Sequence, residues 1–246
     1  MYLWLEMKKN SPEIHAIIPA RSGSKGVKNK NIRKINNKEL IGYTIETAKK
    51  IKLINKIIVS TDSKKIKKIS EKFGAEVPFL RPLKFSKDSS TDLEVFKHYL
   101  LWLKKNRKKI PTLIVHLRAT TPFRSEKKII KAIKLMLRRK NASCLRSFKY
   151  SDFSPYKMWT YKKKHEVRPV LLYKKKIESH SLSRQELPKT FNHIGIVDVI
   201  RPEKTILQNS MCGNLVVPLV FENKDLKNYI DIDTKDDLKK ARLIKS

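Results

Sequence analysis

Apolar positions fall in short bursts between polar, lysine-rich stretches, and the period of each burst names its element. His15 to Ile18 reads as a buried strand and stops at Pro19. Leu40, Ile41, Thr44, Ile45, Ala48 and Ile51 recur at helical spacing, with Lys49, Lys50 and Lys52 at the end where the helix dipole favours cations. Ile57-Ile58-Val59 is a β-branched run and reads as the second core strand. Ser60-Thr61-Asp62-Ser63 starts a basic helix to about Phe73, which Gly74 stops. Asp92 and Glu94 head the next helix, with Leu93, Phe96, Leu100 and Leu103 as its core stripe. Thr112 to Leu117 is another buried strand, and Ser125 caps a helix through about Arg138 with Ile129, Ile130, Ile133 and Leu137 inward. Gly195 to Ile200 and Leu215 to Phe221 read as strands that return to the same sheet.

Strands alternating with helices predict an α/β fold of three layers, a mostly parallel sheet with helices on both faces. Ligands in such sheets bind beyond the carboxyl ends of the strands. The loops after Ile18, Val59 and Leu117 all lie at such ends, so they are expected to form one site. From about Phe148 to Phe191 the period fails. Tyr150, Phe153, Tyr156, Met158, Trp159 and Tyr161 make that stretch too aromatic for disorder, and Tyr and Trp among basic residues suit a subunit interface.

Composition narrows the classes. The 246 residues suffice for one good-sized domain with a proper core. A formal charge of +34 raises the prospect of nucleic acid. Lysine far outnumbers arginine, however, and is spread through every helix without interleaved aromatics, so a basic nucleic-acid-binding protein is only the alternative from another class. Cys144 and Cys212 are the only cysteines, which excludes a disulfide framework and fits the cytoplasm. Met1 to Leu5 is too short an apolar run for a signal segment, and no run approaches membrane-spanning length.

The chemistry concentrates in Pro19-Ala20-Arg21-Ser22-Gly23-Ser24-Lys25-Gly26, followed by Lys30-Asn31. Glycines let backbone N–H groups approach phosphate oxygens, and Arg21, Lys25 and Lys30 can neutralise them. The loop is neither a Walker A loop nor a dinucleotide fingerprint, because the glycine spacing fits neither. Near the far end, Asp231-Ile232-Asp233 precedes Thr234, a helix-capping type, with Asp236 and Asp237 as first-turn residues. If that segment is extended, Asp231 and Asp233 share one face and offer Mg²⁺ two hard oxygens.

The order of residues resembles the N-acylneuraminate (sialic acid) cytidylyltransferases, whose opening motif is Pro-Ala-Arg-x-Gly-Ser-Lys-Gly and then Lys-Asn. Further matches are Val59-Ser60-Thr61-Asp62, Phe73 to Pro82, Arg184-Gln185-Glu186-Leu187-Pro188 and Asp231 to Leu238. The resemblance implies a single nucleotide-diphospho-sugar transferase-like, Rossmann-type domain over 1–246, with an inserted dimerisation lobe at about 148–191. The implied reaction is attack by the anomeric hydroxyl of a nonulosonic sugar acid on CTP, with Mg²⁺, in a homodimer. Arg21, Lys25 and Asp233 would be catalytic. Ser22, Gly23, Ser24, Lys30 and Asn31 would hold the nucleotide, and Arg81 with Ser89 or Ser90 would recognise cytosine. Arg118, Thr120, Thr121, Arg184 and Gln185 would meet the sugar, and Asp231 and Asp233 the metal. His116 and His193 read as isolated, ordinary hydrogen-bonded residues.

Two segments depart from the family. Many members have Leu-Gln-Pro-Thr-Ser-Pro where this chain has Leu117 to Pro122, and Asn-Gly-Ala-Ile-Tyr where it has Ile194 to Asp198. Both approach the sugar in the family, so they bear on which acid is used. The Kdo cytidylyltransferases, with Arg-Leu-Pro-Gly-Lys in the first loop, rank second.

Overall fold

The computed structural model describes residues 11–24, 26–175 and 178–244. Lys25 and the Met1 to Leu5 segment therefore lie outside the described residues. β1 (Ile14–Pro19) leads through the glycine loop to a small ribbon, β2 (Lys34–Ile35) and β3 (Lys38–Glu39), and then to α1 (Leu40–Lys49). β4 (Lys56–Ser60), α2 (Lys64–Lys72), α3 (Asp92–Lys105), β5 (Leu113–His116) and α4 (Glu126–Arg138) follow. The chain continues through β6 (Cys144–Tyr150), β7 (Trp159–Lys163), β8 (Glu166–Pro169), β9 (Phe191–Ile200), β10 (Val216–Phe221) and α5 (Lys235–Leu243).

Six strands form one sheet in the order β10-β6-β9-β5-β1-β4. β1 runs parallel to β4 and β5, and β10 parallel to β6, whereas β9 is antiparallel to both β5 and β6. Strand residues alternate between two cores, as the two-residue period of a strand requires. Ile14, Ala16 and Ile18 face Ile41, Ile45, Ile129 and Ile133 of α1 and α4, while Ile17 and Ile58 face Phe96, Tyr99 and Leu103 of α3. The predicted three layers are present. Side chains set the helix starts: Ser125 accepts from Lys128 N, and Thr91 and Glu94 close a capping box at α3. Each such cap is worth about 1 kcal/mol.

β6 is absent from the sequence reading. Cys144-Leu145-Arg146-Ser147-Phe148 carries no apolar run, because Arg146 and Ser147 are polar, and Ser147 serves β9. Ser147 Oγ accepts from Val197 N at 3.2 Å. The stretch read as aperiodic is also partly ordered. It contains the β7–β8 hairpin, which sequence could not show because its side chains lie exposed on both faces rather than alternating. Tyr161 and Phe153 are 77% and 70% exposed, so this lobe presents apolar surface. Among the described residues no helix is long and apolar enough to cross a membrane.

Candidate nucleotide site

β4, β1 and β5 are adjacent, so the three loops at their carboxyl ends meet. The first loop is fixed by neighbours from the second. Ala20 N donates to Ser60 O at 2.9 Å, and Asp62 accepts from Ser22 N at 2.8 Å and from Ser22 Oγ at 2.6 Å. Asn31 is buried, and its Nδ2 donates to Arg21 O at 2.9 Å, closing the loop on itself. The loop carries backbone N–H groups and cations to the rim of a cavity of about 460 Å³.

That cavity is lined by Arg21, Ser24, Gly26, Lys30 and Asn31 from the first loop, and by Arg81, Ser90, Thr120 and Asp233 from four later segments. Arg21 pairs with Asp88 at 2.6 Å and Lys30 with Asp233 at 2.6 Å. Arg81 is 4% exposed; its Nε donates to Ser86 Oγ at 3.1 Å and its backbone N to Thr61 O at 2.7 Å. Burial pulls the Arg81 guanidinium below its ordinary value, opposed by Asp62 and Asp92 and reinforced by Arg21. Ser22 and Gly23 belong to the same loop without lining the cavity, and Ser89 is exposed outside it while Ser90 lines it.

Gly26 ties the loop to the acidic segment. A Cβ there would collide with the Asp233 carbonyl, so the close approach requires glycine. Ile232 N donates to Thr120 O at 2.9 Å, bringing the same segment to the loop after β5. Thr234 and Asp237 form a capping box at α5, the helix-start role the sequence assigns to Asp237; Asp236, beside it in the first turn, pairs with Lys239 at 3.3 Å. Of the two candidate metal ligands, Asp233 lines the cavity. Asp231 turns inward, with Oδ1 buried and unpartnered.

Arg124 is the residue sequence reasoning passed over. Its guanidinium donates to the carbonyls of Ile196 (2.6 Å), Thr121 and Arg118 and to Thr44 Oγ1 at 3.0 Å. One buried side chain thus locks the turn carrying Thr120 and Thr121 to β9 and α1. Burial pulls Arg124 below its ordinary value, and the Asp231 charge opposes this first. An arginine next to a helix cap, in a Pro-Phe-Arg-Ser stretch, was the available signal. Thr121 itself is buried, and Arg118 packs its guanidinium against Gly195, whose φ is +60°.

Arg184 lies elsewhere, in a groove of about 440 Å³ on the lobe together with Tyr150, Phe153 and Met158. Gln185 is exposed beside it and does not line that groove. His116 and His193 are not isolated: both approach Asp198, at 4.0 and 2.9 Å. Antiparallel pairing of β9 brings them together, which no local pattern reveals.

Comparison with known proteins agrees with this geometry. Residues 15–194 match the family model described as cytidylyltransferase. The chain is 32% identical over 227 residues, 92% of each chain, to post-translational flagellin modification protein B of Campylobacter coli. It is 44% identical over 110 residues, 45% of this chain and 47% of the relative, to CMP-N,N'-diacetyllegionaminic acid synthase of Campylobacter jejuni. In structure it is similar to a CMP:2-keto-3-deoxy-manno-octonic acid synthetase complexed with CTP, with a TM-score of 0.66 at 15% identity over 94% of this chain and 97% of that one. A mostly parallel sheet whose strand ends gather a glycine loop, cations and an acidic segment, together with a family match over most of the length, places this chain in the cytidylyltransferase family.

Proposed function

We propose that the protein transfers CMP from CTP to the anomeric hydroxyl of a nonulosonic, sialic-acid-like sugar acid, releasing pyrophosphate. The observation that carries the reading is the convergence of Arg21, Lys30, Asn31, Arg81, Ser90 and Asp233 on one polar cavity at the strand ends. The nonulosonic acceptor is supported by the Arg-Gln-Glu-Leu-Pro and Asp-Ile-Asp segments and by the relative named for a legionaminic acid.

Phosphoryl transfer needs charge neutralisation and in-line positioning more than a strong base. Arg21 and Lys30 are each held by a carboxylate, so an arriving triphosphate exchanges one anion for another rather than meeting unpaired cations. Lys25 adds a third cation by its place in the loop. Arg81, desolvated and oriented by Ser86, would read the base together with Ser90, which lines the same cavity. Thr120, on the turn that Arg124 holds, lines the cavity and would meet the acceptor.

Asp233 at the cavity rim suits Mg²⁺, which takes only one or two carboxylates, whereas Asp231, expected on the same face, lies off the cavity lining and its buried, unpartnered Oδ1 would have to turn to join it. When bound, the ion would neutralise charge building on the leaving phosphates.

The aromatic lobe is the surface for a second copy, and Arg184 and Gln185 would reach the partner's sugar site, where arginine suits a carboxylate. Cys144 and Cys212 are free thiols, as suits the cytoplasm. The direct test is pyrophosphate release from CTP, dependent on a nonulosonic acid and on Mg²⁺. Absence of turnover with every such acid would refute the reading.

A further inference from the structure

β9 runs against its neighbours, so its first residues, rather than its last, lie at the carboxyl edge where Arg118 and Thr120 emerge. In register, His116 of β5, Asp198 of β9 and Arg146 of β6 stand side by side across three strands. Five residues before Asp198, across a register shift in the β6–β9 pairing, His193 returns its ring to the same carboxylate. Its Nε2 lies 2.9 Å from Oδ1 and 3.1 Å from Oδ2. Asp198 is 3% exposed, whereas the His193 side chain is 25% exposed. Arg146 Nε stays buried without a partner while Asp198 takes its hydrogen bond from His193. Orientation of the imidazole, rather than burial of a charge pair, is what this arrangement accomplishes.

The place of the pair matters. On one side, Arg118 packs over Gly195, two residues from His193, and Thr120 two residues further on lines the nucleotide cavity. On the other side, the His193 ring meets Phe148 at 5.9 Å, and Phe148 meets Phe191 at 6.0 Å. Phe191 meets Tyr150 at 5.1 Å, and Tyr150 lines the groove that holds Arg184. His193 thus lies at the sheet edge that carries the loop after β5, with the aromatic residues that lead into the lobe on its other side. Ligands of such sheets sit at this carboxyl edge, so an acceptor bound next to the nucleotide lies on the same side as the ring.

In the neutral ring, the proton faces the carboxylate on Nε2 and Nδ1 is left as a hydrogen-bond acceptor. We propose that His193 is a recognition residue for the acceptor, its Nδ1 accepting a hydrogen bond from a hydroxyl or amide N–H of the sugar acid, with Asp198 positioning the ring. This rests on the cytidylyl-transfer reading and names a group within it. A carboxylate–imidazole pair here selects acids that carry a donor at the matching carbon.

Steady-state kinetics with separate KM values for CTP and for the acid test it. His193→Gln keeps an N–H where Nε2 stood, so Asp198 retains its partner, and it lacks the Nδ1 acceptor. The acid's KM should rise about tenfold, the loss of one hydrogen bond to substrate, while kcat and the KM for CTP change little. Asp198→Asn, which leaves the tautomer unfixed, should raise the same KM. An acid lacking the matching donor should be handled equally by wild type and His193→Gln. An unchanged KM for every acid in both His193→Gln and His193→Ala, or a fall confined to kcat, overturns the inference while the activity stands. A wild-type protein that releases no pyrophosphate with any acid contradicts the cytidylyl-transfer reading itself, and this inference with it.

Discussion

Lys30 Nζ stands 2.6 Å from Asp233 Oδ1, joining the loop after the first strand to a segment near the other end of the chain. Asp233 is 73% exposed, and a pair of this kind contributes at most about 1 kcal/mol to stability. Its significance is chemical, since it places an anion and a cation together where a metal–triphosphate complex would be shared between them.

Asp233→Asn keeps the shape of that contact and weakens the hard ligand. Activity should fall by about 10²-fold or more, the range seen when one charge-stabilising group is removed from a reacting site, and recover in part at raised Mg²⁺. Asp231→Asn should show the same metal dependence. Unaltered activity and Mg²⁺ titration in both variants would reduce these residues to a helix approach and its cap.

Arg21→Ala and Lys25→Ala would each remove a cation from the proposed phosphate site. Turnover should fall by about 10²–10³-fold in each. Arg21 is only part-buried and its partner Asp88 is 46% exposed, so the fold should survive. Wild-type kinetics in either folded variant would exclude that side chain from catalysis.

Arg124→Met takes the guanidinium from the Thr121 and Ile196 carbonyls in a buried turn and leaves the Arg118 carbonyl only its longer bonds from Thr121 N and Thr44 Oγ1. Removing it should cost roughly 3 kcal/mol, an order-of-magnitude sum of unsatisfied buried groups. Chemical denaturation reads this directly, and a midpoint equal to wild type would show that the turn holds itself.

Acidification should weaken the fold in two stages. Burial holds His15 and His116 below the ordinary histidine value, so the unfolded chain takes up protons first as pH falls below about 6.5. Their contribution is complete above that pH and is lost on the way down. Burial pushes Asp198 up, but the hydrogen bond from His193 and the charges of His116, His193 and Arg146 outweigh it. Its net lowered value adds stability present above about pH 4 and lost below it as the folded carboxylate protonates. Denaturation midpoints measured from pH 8 to pH 3 should fall monotonically; a flat profile would contradict the buried assignments.

Trp159 is 45% exposed and Tyr161 77% exposed on the β7–β8 hairpin, an apolar surface that suits a second copy. Sedimentation should show a dimer that strengthens with salt, because screening relieves repulsion between chains of +34 each. Trp159→Asp should shift the mass toward monomer and lower activity. A monomer that is fully active at every salt concentration would end this proposal.

Much of the framework was legible because local chemistry decides it. α1 opens at Leu40, as its period indicates, and Ser125 caps α4 through to Arg138. The first loop follows the strand that Pro19 ends, and Asp62, Arg81 and Asp233 gather around it because the parallel sheet brings its strand ends to one edge. What escaped was set by contacts distant in sequence. β6 is a central strand with polar positions, and Arg146 and Ser147 make sense only once β9 lies beside them. His193 and Asp198 meet through that same pairing. Arg124 holds carbonyls from two loops, so its role is invisible until both are folded.

The most direct test incubates the purified protein with CTP, Mg²⁺ and a panel of nonulosonic acids, with Kdo as comparator, and identifies the products. The account predicts equimolar pyrophosphate and a CMP-sugar from at least one nonulosonic acid, with Kdo inactive or far slower. No CMP-sugar from any nonulosonic acid, or efficient turnover of Kdo alone, would contradict it.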